Sequence, residues 1–141
     1  MAIYLPDTNV FSVYAQGTDA KLVARMIALK EDIVVSVIAL AEMEYGWRKA
    51  GNTRRIIRQR EFAVQLAPMN FDPVCAATYG EIKNFLFHTR ARIHGNANPI
   101  GERDMLIAAQ AFAKGAVLVT HNTREFSTIP GLLVEDWQTI P

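Results

Sequence analysis

Three carboxylates in this chain of 141 residues have no local structural partner. Asp7 stands directly after the apolar run in YLPDTNVF. Asp, Thr and Asn all favour turns at strand ends, so Asp7-Thr8-Asn9 also reads as a turn. Glu42, in IALAEMEYGWRKA, has Ile38 and Gly46 four residues away and Ala39 and Tyr45 three away. No helical neighbour offers it a cation, whereas Glu44 has Arg48 four residues on and reads as a surface ion pair. Asp104, in GERDMLIAAQAFAKG, shares a helical stripe with Ile107, Ala108 and Ala111. A helix start favours acids, which accounts for Glu102 and is open for Asp104 as well. On a packed face, however, a carboxylate without a cation is costly. Brought together, Asp7, Glu42 and Asp104 would raise one another's pKa or share a cation. Oxygen donors alone favour Mg²⁺ or Mn²⁺ over zinc, and His88, His94 and His121 lack zinc-site spacing. Such an ion suits phosphate chemistry: it acidifies a bound water and neutralises phosphoryl oxygens.

Other chemistries find no support. There is no GxxxxGK[ST] phosphate loop and no GxSxG nucleophile elbow. Cys75 falls inside an expected helix without an activating neighbour and reads as core.

The elements that must position the acids alternate strand and helix. Strands are expected at 2–6, 33–37, 69–71, 116–120 and 132–135. Helices are expected at 18–30, from 38 to 49, after a break at Gly51-Asn52 to about 66, from 73 to about 93, at 102–114, and as a single turn at 123–126. Asp72-Pro73 is a helix start with Asp as cap, Gly115 a helix stop, and 94–101 a loop. This alternation predicts a parallel sheet between helices, an α/β three-layer arrangement. Ligands of such sheets bind beyond the strands' carboxyl ends. Asp7 follows the first strand and Glu42 lies just after the second. His121-Asn122 follows AVLVT, and Asp104 opens the helix that leads into AVLVT. All four points belong on one rim.

The bulk numbers set the class. Half the residues are hydrophobic and 21% are charged, as in soluble globular chains. Residues 1–141 are expected to form one domain. No apolar run reaches membrane-span length, and no positive charge precedes Lys21, so neither a span nor a signal peptide is expected. A single cysteine excludes an internal disulfide and suits a reducing, cytoplasmic home. Net charge is only +1, but Arg48, Lys49, Arg54, Arg55, Arg58 and Arg60 form a stretch without an acid. It reads either as a solvated helix face or as a surface for a polyanion or acidic partner.

YLPDTNVF, SVIALAEMEYG, NPIGERDMLIAAQA and LVTHNTREFSTIPGLLVEDW, in that order, resemble the four signatures of PIN-domain ribonuclease toxins of the VapC type. The resemblance covers nearly the whole chain. It implies a PIN fold with a short twisted parallel sheet, and a Mg²⁺- or Mn²⁺-dependent endoribonuclease. It also implies a VapB-type antitoxin as partner, operator DNA bound through that antitoxin, and a homodimer. The family's acids fall on Asp7, Glu42 and Asp104. Thr8 and Asn9 complete the first signature, with Asn9 orienting a carboxylate or a water. In the fourth, the position two after Thr120 often carries an acid. Here it is Asn122, with Glu125 the nearest acid downstream, and this departure leaves the number of metal ions open.

Two other readings compete. A PIN-like binding module would have no reason to keep three mutually repelling acids. A small metal-dependent phosphohydrolase using a nucleophilic aspartate needs a second Asp where Asn9 stands.

Overall fold

In the computed structural model, residues 1–94 and 100–141 are described, with 90–94 by backbone alone. Five short parallel strands form two sheets, β1 (Tyr4–Pro6) with β4 (Val117–Val119) and β5 (Val134–Glu135), and β2 (Val34–Ser36) with β3 (Ala67–Met69). A parallel bridge from Tyr4 to Ile33 joins them, giving the order β3-β2-β1-β4-β5. Leu5 pairs with Leu118, Val35 with Pro68 and Leu118 with Val134. Pro68 lies in the edge strand β3, where a missing N–H does least harm.

Crossovers, right-handed by the general rule for parallel strands, carry the chain from β1 to β2 through α1 (Thr8–Gln16) and α2 (Ala20–Ala28), and on to β3 through α3 (Val37–Ala50) and α4 (Arg54–Ala63). The return from β3 to β4 through α5 (Pro73–His94) and α6 (Glu102–Lys114) runs the opposite way along the sheet, which places those helices on the other face. The single turn α7 (Thr123–Phe126) leads to β5. Leu5, Phe11, Leu22, Met26, Val35, Leu86, Met105, Leu118 and Phe126 fill the interior, and Cys75 is buried at the start of α5.

Local rules explain most boundaries. The Ser36 hydroxyl caps α3, accepting from the Ile38 N–H at 3.0 Å. Asp72 caps α5 through the Cys75 N–H at 3.0 Å, and Gly115 ends α6 in the left-handed region at φ 65°. Buried Gln110 ties α6 to the sheet: it accepts from the Ser36 hydroxyl and donates to the Met69 carbonyl at 3.0 Å.

One helix was not expected. Residues 8–16 form α1, where the sequence suggested only a turn. TNVFSVYAQ is rich in β-branched and aromatic residues, so its intrinsic helix propensity is weak. Burial of Val10, Phe11 and Ala15 decides instead. Asp7 keeps its turn-forming bond, now as the helix cap, accepting from the Val10 N–H at 3.1 Å. Strands are shorter than their apolar runs, and β3 falls two residues earlier than expected, at Ala67–Met69. Of the expected 94–101 loop, residues 95–99 lie outside the described residues. Among the described residues, no helix is long and apolar enough to cross a membrane.

The C-terminal segment is clamped by Asp19. This fully buried carboxylate caps α2 through Leu22 and accepts from the Thr139 N–H at 2.7 Å and hydroxyl at 2.5 Å. Trp137 packs edge-on against Tyr4, with centroids 5.1 Å apart, and lies under the Arg25 guanidinium. Burial pushes the Asp19 pKa up, but these donors outweigh it and bring it down to about 2. Asp19→Asn keeps the shape but turns one acceptor into a donor facing donors. Its melting temperature should fall by roughly 5 °C at pH 7. An unchanged melting curve would remove Asp19 as the clamp.

Candidate active site

The strand ends deliver the site. Pro6 closes β1 without an N–H, and the Asp7 N–H resumes the pairing by donating to the Val119 carbonyl at 2.9 Å. Asp7 is thereby fixed at the carboxyl edge of β1 and is 5% exposed. One carboxylate oxygen accepts from Val10, the other from the Thr120 hydroxyl at 2.7 Å. Thr120 is fully buried just beyond β4 and also accepts from the Asn122 N–H at 3.0 Å. Burial raises the Asp7 pKa. The Thr120, Val10 and Asn9 donors pull it back and Asp104 pushes it further up, leaving it at about 6.

Glu42 projects from the second turn of α3, half-buried. The Thr8 hydroxyl donates to it at 3.2 Å. Asp104, in the first turn of α6, is half-buried at the rim, less enclosed than its sequence stripe suggested. Its pKa is raised by burial and by Glu42 and Glu125, with Arg103 acting against them. Asp7, Glu42, Asp104 and Glu125, from four separate elements, thus share one electrostatic environment. The Asn122 side-chain amide donates to Glu125 at 2.7 Å, so this neutral residue steadies the acid rather than replacing it. Thr8, Asn9, Glu42, Gly101, Glu102, Arg103 and Asp104 line an open cleft of about 400 Å³.

Sequence reasoning missed Arg103. Its guanidinium lies 3.5 Å from Glu42, which therefore does have a cationic partner, though on another helix. The neighbours of Glu42 within α3 give no sign of it, and an arginine at the start of α6 carries no local signal.

The basic stretch divides. Arg48 pairs with Glu44 at 2.8 Å, as expected for Glu44. Arg58 donates to the Tyr14 carbonyl at 3.4 Å and lies over its ring, and Arg60 lies over Trp47. Lys49, Arg54 and Arg55 are exposed. Lys49 and Arg55 border a groove of about 750 Å³ floored by Met43 and Ile56, which reaches the acids at Thr8 and Glu42.

With this geometry established, comparison with known proteins is direct. The PIN domain family matches residues 4–132, and the chain belongs to that family. It is 32% identical to Ribonuclease VapC2 of Rickettsia felis, over 96% of this chain and 98% of the relative. It is 29% identical to the tRNA(fMet)-specific endonuclease VapC of Shigella flexneri, over 97% and 99%. Two solved structures share the fold. VapBC2 from Rickettsia felis bound to a promoter DNA fragment superposes with a TM-score of 0.77 at 30% identity, covering 96% of this chain and 99% of that one. DNA-bound VapBC from Salmonella typhimurium gives 0.79 at 28% identity, covering 97% and 99%.

The donor set fits a hard divalent cation. Every candidate is an oxygen, and Asp7 and Asp104, whose pKa values are raised by burial first and by neighbouring acids second, would ionise more readily beside a cation. Among the described residues, no group of three or more His, Cys, Asp or Glu side chains stands close enough to hold a metal ion by itself. An ion held here by one or two carboxylates would keep several waters.

Proposed function

We propose that this chain is a Mg²⁺- or Mn²⁺-dependent endoribonuclease, the toxin half of a toxin–antitoxin pair, with residues 1–141 acting as one PIN unit. The carrying observation is the buried Asp7 carboxylate, pushed up to about 6 beside three further acids on one rim. The VapC relatives and the VapBC complexes support the ribonuclease and its antitoxin partner. A VapB-type antitoxin would cover the site, the complex would reach operator DNA through the antitoxin, and two toxin copies would pair.

Asp7 and Asp104 would hold the ion, with Glu42 beside them. When bound, it supplies a nucleophilic water at neutral pH and neutralises phosphoryl charge. Thr120 fixes the Asp7 carboxylate in one orientation, and Thr8 does the same for Glu42. Glu125, steadied by Asn122, would accept a proton. Asn9, exposed on the cleft wall, would hydrogen-bond a substrate oxygen. Lys49, Arg54 and Arg55 are available to an RNA backbone or an acidic antitoxin segment, and Arg48 and Arg58 flank them.

The test uses antitoxin-free protein with total tRNA and rRNA fragments, in Mg²⁺, in Mn²⁺ and in chelator. Discrete cuts should appear with either metal and vanish in chelator. Asp104→Asn should lower the cutting rate by roughly 10²-fold. Absence of cutting by folded, metal-loaded protein would leave a binding module.

A further inference from the structure

We propose that Arg103 is a substrate-phosphate anchor, held by Glu42 in the free site and released to the RNA backbone when substrate enters. This inference rests on the nuclease reading and extends it to how a polyanion enters a cleft lined with acids.

The cleft presents the carboxylates of Glu42, Glu102 and Asp104 to a substrate of the same sign. Among the described residues, Arg103 is the only basic side chain lining it. The exposed basic residues of the α3–α4 region border other depressions. Arg103 is nonetheless lightly held. Its side chain is 72% exposed, and its contact with Glu42 is a single nitrogen–oxygen approach of 3.5 Å. That is neither the short separation nor the two-pronged geometry of a committed arginine–carboxylate pair. A long single contact to so exposed an arginine contributes little to stability, so the fold does not depend on the position of Arg103.

The surroundings favour exchange. Glu42 already receives the Thr8 hydroxyl and need not be left without a donor when the arginine departs. Guanidinium presents five donors in a plane that matches two phosphate oxygens, and phosphodiesters are ionised throughout the physiological range. Arg103 also adjoins Asp104 in the first turn of α6, so a phosphate gripped there lies beside the proposed metal-binding acids. Glu42 then has two functions: it holds Arg103 over the cleft mouth, and it sets a threshold that a weakly bound anion does not overcome.

The experiment measures binding of a labelled single-stranded oligoribonucleotide in chelator at low salt, so that no cleavage follows. Arg103→Gln should weaken binding about tenfold and reduce the steepness of the salt dependence by about 0.7. Glu42→Gln should tighten binding by freeing the arginine. In the Arg103→Gln background that gain should disappear, whereas a general loss of negative charge would add independently. Arg103→Lys should retain the salt slope but recover only part of the affinity. If wild type cuts RNA with metal yet Arg103→Gln binds as tightly as wild type, the anchor is overturned and the nuclease stands. Additive effects of the two substitutions overturn the exchange with Glu42. Folded, metal-loaded wild type that neither binds nor cuts RNA overturns both readings.

Discussion

Asp7→Asn is expected to abolish RNA cleavage while making the metal-free protein more stable at neutral pH. The two effects share one cause. Asp7 is nearly inaccessible to water, and its own donors do not offset the burial, since its pKa stays at about 6. At pH 7.5 the folded metal-free protein therefore carries an expensive charge. Asparagine keeps the size and the acceptor for the Val10 N–H, so the cap on α1 survives. Its amide nitrogen faces the Thr120 oxygen, which can accept from it once the hydroxyl turns. Removing the charge should raise the melting temperature at pH 7.5 but not at pH 4, where Asp7 is already protonated in the folded state. Cleavage should fall by at least about 10³-fold, because the substitution removes a metal ligand and its charge together. Calorimetry at the two pH values and a cleavage assay check this. A variant that is destabilised at pH 7.5 and still cuts RNA would show that Asp7 serves the fold instead.

The difference between what the sequence revealed and what it hid follows the range of the interactions. Asp72-Pro73 and Gly115 announced their helix ends because capping acts within a few residues. The Glu44–Arg48 pair was visible for the same reason. The convergence of Asp7, Glu42 and Asp104 was legible because strand–helix alternation fixes which ends share an edge. α1 was hidden because tertiary burial of Phe11 against Phe62 overrides a weakly helical sequence. The Arg103–Glu42 contact was hidden because it joins the start of α6 to the second turn of α3, and no pattern within either segment encodes it. Asn122 could be placed on the rim because it follows AVLVT, and Thr120 could be named from its place in the last signature. Their partners, Asp7 across the strand ends and Glu125 one turn on, needed coordinates.

The wild-type protein should show opposite responses to pH with and without a divalent cation. Asp7 has a folded pKa of about 6, against 3.8 for the ordinary group. Between those values the folded state binds more protons than the unfolded one, so stability falls as pH rises from about 4 to about 6. A shift of this size corresponds to about 3 kcal/mol, at about 1.4 kcal/mol per pH unit. Asp104 is shifted in the same direction and adds to the fall. Asp19 acts with the other sign: its folded pKa lies near 2, so its contribution is present above about 4 and is lost as pH falls through about 2. Metal-free protein should therefore be most stable near pH 4 and decline on both sides. A saturating cation binds the ionised folded form and reverses the neutral-side decline. At a hundred times its dissociation constant it contributes about 2.7 kcal/mol, close to the loss it offsets. Denaturant titrations across pH 3–8, in chelator and in Mg²⁺, measure both limbs. If the chelator curve stayed flat between pH 4 and 7, Asp7 would be ionised without penalty, and the cation would have no uncompensated charge to relieve.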